Sequence, residues 1–139
     1  MAGKVHEVMT RDPRTLPQEE TVSAAAKVMR DADVGAVIVT ESSTVRGVLT
    51  DRDIAVLAVA EDLDPRVTRL ADLVSHDLVA VSPDDDMETA VELMRTHAVR
   101  RLPVMEGERL VGVVSLGDLA VERDSDSVLA QISAEEPNN

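Results

Sequence analysis

The sequence predicts an α/β chain of the α+β type, built as two pseudo-symmetric units that each run strand, helix, strand, strand, helix. Three observations carry this expectation: an internal repeat, small apolar residues at helical spacing ahead of two β-rich runs in each copy, and an apolar share of 44% over 139 residues, enough to fill a core. Sliding the chain against itself by 65 residues aligns Val8 with Leu73 and continues without a gap to Val56 with Val121. Identical pairs include Ala25/Ala90, Met29/Met94, Arg30/Arg95, Val39/Val104, Gly47/Gly112 and Asp53/Asp118. Two copies are too few for a solenoid. A unit of roughly 55 residues is marginal alone, so the halves are expected to bury their sheets against one another.

The elements follow in order. Short strands near residues 14–16 (RTL) and 78–81 (LVAV) open the two units. Val22, Ala25, Ala26, Met29 and Ala32 predict a helix of about three turns, as do Met87, Ala90, Val91, Met94 and Ala98. Ser82-Pro83-Asp84-Asp85 has the form of a helix start, with Ser82 as cap and Pro83 in the first turn. The runs AVIVT (36–40) and LPVM (102–105) read as buried strands, joined through ESST and EGER turns to second strands ending in GVL and GVV. Each second strand leads into a short helix, DIAVLAVA or DLAVE, and the six glycines mark turns. The expected domains are 1–62 and 63–125, with a linker at 61–69 and a partly disordered tail at 126–139.

Composition excludes several function classes. Without Phe, Tyr or Trp no base can stack on an aromatic platform, and a formal charge of −13 repels a polyanion, so nucleic acid is not an expected partner. Absence of Cys removes disulfides and thiolate chemistry, and fits a cytoplasmic protein. No run reaches the roughly 20 apolar residues of a membrane span. His6, His76 and His97 lack metal-ligand spacing, Asp84-Asp85-Asp86 reads as negative charge at a helix start, and no catalytic motif is present. Neither catalysis nor a required cofactor is expected.

The chemistry-bearing signal is Thr50-x-x-Asp53, repeated as Ser115-x-x-Asp118 between strand and helix. A hydroxyl there can cap free amides while the aspartate reciprocates, and this capping box needs no ligand. The same geometry also suits a binding site, with a hydroxyl and helix amides facing an anion and a carboxylate accepting hydrogen bonds from a ribose diol. Spacing alone leaves both readings open.

The tandem copy, the Leu102-Pro103-Val104 strand and the Gly-apolar-apolar-Thr/Ser-x-x-Asp endings together resemble the cystathionine-beta-synthase-type (CBS) domain pair, or Bateman module, over residues 5 to about 123. The resemblance implies two βαββα units packed sheet to sheet and an adenosine nucleotide, AMP, ADP or ATP, in the cleft between the repeats. It assigns the ribose to Asp53 and Asp118, and the phosphate side to Thr50 and Ser115. Arg100 and Arg101 take a further phosphate role, whereas Gly35 and Ala36 stand at the aligned positions of the first copy. Strand alternation sends the two arginines to opposite faces. Val79, Val81 and Val34 are the expected adenine wall. The resemblance further implies a homodimer that buries the short helices, and an effector protein not identified by the sequence. A ligand-free interaction module and a binder of another adenosyl compound are the alternatives.

Overall fold

A computed structural model describes residues 3–74 and 77–123. His76 and the 126–139 tail lie outside the described residues. Two compact units result: one takes the described residues up to Pro13 together with those from Val79 onward, and the other is Arg14–Leu78. Packing thus cuts the chain at different points from the sequence repeat.

In the unit Arg14–Leu78, β2 (Thr15–Pro17) lies parallel to β3 (Ala36–Glu41), which pairs antiparallel with β4 (Thr44–Thr50). Ser42 and Ser43, both at positive φ, make the two-residue hairpin turn. Between β2 and β3 runs α1 (Val22–Ala32), whose Val22, Ala25 and Met29 share one face and are buried with Val37, Val39 and Leu49. Thr21 caps α1, its hydroxyl accepting from the Ala24 amide at 3.2 Å. After β4 the chain forms one turn of α2 (Asp51–Asp53) and widens into a π-helix at Ile54–Val59.

In the other unit, β5 (Arg101–Glu106) and β6 (Arg109–Ser115) form the matching hairpin, and α3 (Met87–His97) packs Met87, Ala90 and Met94 onto Leu102, Val104 and Val114. The closing helix is α4 (Leu116–Arg123). The expected opening strand at 78–81 shrinks to a single parallel bridge, Val81 to Val104. Ser82 does not cap α3. Asp86 is its N-cap, and Ser82-Pro83-Asp84-Asp85 closes a separate turn in which Asp85 accepts from the Ser82 amide at 2.9 Å. A turn and a cap use the same residue types, so the motif fits both.

Two of the expected turn glycines lie inside strands. Gly47 is in β4 and Gly112 in β6. At Gly112 a Cβ would come within 2.8 Å of the Thr10 carbonyl, so glycine lets β1 (Thr10–Arg11) pair antiparallel on β6.

Each unit is completed by a segment from outside its own repeat. Residues 3–9 form a strap across the start of α3: the Val5 amide donates to Asp85 O (2.9 Å), His6 to Pro83 O (3.0 Å), and Met87 to Gly3 O (3.2 Å). Residues 68–74 do the same at α1, with Leu70 donating to Glu20 O (2.9 Å), Ala71 to Gln18 O (3.0 Å), and Val22 to Thr68 O (2.9 Å). Every donor and acceptor is displaced by the same 65 residues. Val5 and Leu70, one at the head of each strap's 3₁₀ turn, are both 0% exposed. The repeat therefore extends back to Gly3/Thr68, and the strap of each copy completes the other copy.

Helices α1 and α3 both end on a left-handed residue, Asp33 at φ 55° and Ala98 at φ 53°. Asp tolerates that region, while a Cβ without a polar group is strained there by about 1 kcal/mol. Ala98→Gly is therefore expected to raise unfolding stability by about 0.5–1 kcal/mol, measured by denaturant titration. A loss of stability would mean that Ala98 makes compensating contacts.

Candidate functional site

Both hydroxyl-x-x-aspartate motifs sit where a second strand turns into a helix, and both close as capping boxes. Thr50 Oγ1 accepts from the Asp53 amide at 3.0 Å, and Asp53 Oδ2 accepts from the Thr50 amide at 2.9 Å. Ser115 Oγ accepts from Asp118 at 3.0 Å, and Asp118 Oδ2 from Ser115 at 2.9 Å. One more bond ties each corner to its own hairpin: Asp51 donates to Gly35 O at 3.0 Å, and Leu116 to Arg100 O at 2.8 Å. The capping reading thus describes the geometry of both corners. It leaves binding capacity, because an ionised carboxylate has about four acceptor positions and the box engages only Oδ2.

The two corners are not chemically equivalent. In unit Arg14–Leu78 the Arg52 amide donates to Asp51 Oδ1 at 2.8 Å, so the amides of Asp51, Arg52 and Asp53 are all engaged internally. An anion there would also meet the exposed Asp51 carboxylate, and the register partner of Thr50 is Ala36. The other corner replaces each of these. Leu116 stands where Asp51 was and offers no carboxylate to Gly117, while Arg101 is the register partner of Ser115. The Gly35/Ala36 contrast was legible in sequence. The Asp51/Leu116 contrast carries the same signal and shows only when the amide bonds are traced.

Electrostatics add to the difference. Ser115 is buried and Asp118 half-buried. Burial pushes the Asp118 carboxyl above its ordinary value of 3.8, against the opposing pull of hydrogen bonding from Ser115 and of the Arg101 charge. Arg101 is thus close enough to act on the carboxylate. The Arg100 side chain is exposed, and only its carbonyl is tied to the corner. Of the expected adenine wall, Val81 is core at 3% exposed, Val79 is half-buried beside the same core, and Val34 packs on the core of the other unit. Among the described residues no group of three His, Cys, Asp or Glu is placed to hold a metal ion. No helix among them is long and apolar enough to cross a membrane.

A family model described as the CBS domain matches residues 5–59 and again 70–124, which together cover most of the chain. The chain belongs to the CBS-domain family. Its two matches begin at Val5 and Leu70, the buried strap residues. This CBS pair is 39% identical over 135 residues to the CBS domain-containing protein YhcV of Bacillus subtilis, covering 94% of this chain and 96% of that one. It is 34% identical to Hypoxic response protein 1 of Mycobacterium tuberculosis over 82% of this chain and 80% of the relative. Among solved structures, Hypoxic Response Protein I with two coordinated zinc ions superposes with a TM-score of 0.76 at 31% identity, covering 87% of this chain and 99% of that one. Like these relatives, the chain is a CBS pair of the regulatory, non-catalytic kind.

The raised pKa has a signed consequence. Folded Asp118 holds its proton more tightly than unfolded Asp118, so it favours folding in acid, and that contribution fades as pH rises from 3.8 through the higher folded value. The Asp118 carboxyl is expected to titrate above 3.8 by carbon-detected NMR and to move higher still in Arg101→Ala. A midpoint at or below 3.8, or one indifferent to Arg101, would contradict this electrostatic picture.

Proposed function

We propose that this CBS pair senses an adenine nucleotide and that the Arg101–Ser115–Asp118 corner carries the binding. The observation that supports it is the placement of Arg101 opposite Ser115, beside a carboxylate with acceptor positions to spare. Asp118 receives the ribose hydroxyls, Arg101 and the Ser115 hydroxyl face the phosphates, and Val79 offers an apolar edge to adenine. On a chain of net charge −13, a phosphate needs such a local cation, and a guanidinium suits its geometry. The Thr50–Asp53 corner, with Asp51 exposed and Ala36 in place of Arg101, suits an uncharged nucleoside portion at most. Bound nucleotide stabilises the folded state by RT ln(1 + [L]/Kd), about 2.7 kcal/mol at a hundredfold excess over Kd.

A second reading, a protein-interaction module, is favoured by one observation. The π-helix leaves Val56, Leu57 and Val59 exposed at 46%, 40% and 64%. Contiguous exposed apolar residues mark association surfaces, and we assign this face to a homodimer. A hexameric CBS-CP12 protein, 26% identical with a TM-score of 0.79, shows assembly in a relative. The Cys-free, acidic composition fits a cytoplasmic setting.

Having no Trp, Tyr or Phe, the protein barely absorbs in the near ultraviolet, so a co-purified adenine would dominate its spectrum. ATP, ADP or AMP is expected to raise Tm. Arg101→Ala is expected to weaken the affinity for these nucleotides about tenfold to a hundredfold while changing that for adenosine little. No adenine band together with no Tm shift would favour the interaction module. An equal loss for adenosine and ATP in Arg101→Ala would remove the phosphate role of Arg101.

A further inference from the structure

The two straps share their backbone bonds to the helix starts but differ in what else holds them. At the end of the 68–74 strap, the buried Arg46 guanidinium donates to Val74 O at 3.4 Å and to the Gln18 side chain. The positions aligned with Arg46 and Gln18 are Val111 and Pro83, which offer no such clamp to residues 3–9. That strap has instead the exposed ion pair of Lys4 with Asp86 at 2.8 Å, which holds little, the packing of Val8 and Met9 on the core of its unit, and the antiparallel pairing of Thr10 and Arg11 on β6.

The 3–11 segment is also set off by a very short hinge. Arg11 makes its last pairing with Gly112 in one unit, and the Arg14 carbonyl already accepts from Ile38 in the other at 2.8 Å. Only Asp12, at φ 54°, and Pro13 lie between. Short hinges next to a self-contained docking segment are a setting for exchange between copies, because every docking contact is kept and only the hinge changes.

We infer that residues 3–11 exchange between two copies of this chain, the strap of each seating on α3 and β6 of the other, to give a closed homodimer. This interface is separate from the π-helix face and does not depend on nucleotide binding.

The chain has no cysteine, so a single engineered pair reports which copy supplies the strap. Lys4 and Asp86 are antiparallel bridge partners, a spacing that accepts a disulfide. The Lys4→Cys/Asp86→Cys protein, refolded at high concentration and oxidised, is expected to run partly as a covalent dimer on denaturing non-reducing gels and as monomer after reduction. A disulfide found only within monomers overturns the proposal. A second measurement decides if no disulfide forms: in a Leu57→Glu/Val59→Glu background, which removes association through the exposed π-helix face, a flexible glycine-serine insertion between Asp12 and Pro13 is expected to lower the dimer fraction in sedimentation. A dimer fraction indifferent to that insertion assigns association to another face and equally overturns the exchange.

Discussion

Where the second strand of each hairpin becomes a helix, successive backbone amides leave their strand partners together, and each must find an acceptor. The protein solves this the same way twice, with a hydroxyl, an aspartate three residues on, and a carbonyl from the start of the first hairpin strand. What either corner can do for a ligand is set by what remains after that need is met. Asp51 takes up the one further amide of its corner and leaves a negative charge there. Leu116 and Arg101 reverse both features in the other copy. The repeat gives both corners one geometry, and the contrasts Asp51/Leu116 and Ala36/Arg101 give them opposite local charge.

The straps extend this logic from the corner to the whole unit. A helix start also exposes amides at α1 and α3, and there the acceptor is the backbone of a segment carried by the other repeat. Because Val5 and Leu70 are wholly buried in units that their own repeats do not build, neither half of the sequence can be a complete folding unit by itself. The pair is obligatory for packing reasons that have nothing to do with a ligand.

Most of the fold was legible in the residues. Val22, Ala25 and Met29 recur at helical spacing and form the buried face of α1, and the AVIVT and LPVM runs are the buried strands β3 and β5. The straps were missed because only one fully buried side chain anchors each of them, and its docking is done by main-chain atoms, which leave no pattern in side-chain identity. The conservative pairs Lys4/Arg69, Val5/Leu70 and Glu7/Asp72 were the available trace. The strand expected at 78–81 failed for a related reason: apolar composition reports burial, and a chain buried beside Val104 through one bridge looks the same in sequence as a full strand. At the corners, sequence named the residues but could not say which amides were already engaged.

The inequality of the two corners runs through the whole reading of the protein as a sensor. Backbone amide NMR during titration with ADP tests it most directly, because each corner reports through its own residues. Shifts are expected to concentrate at Arg101 and Ser115 to Asp118, with Thr50 to Asp53 changing little. Equal perturbation of both corners, or perturbation confined to Thr50 to Asp53, would contradict it.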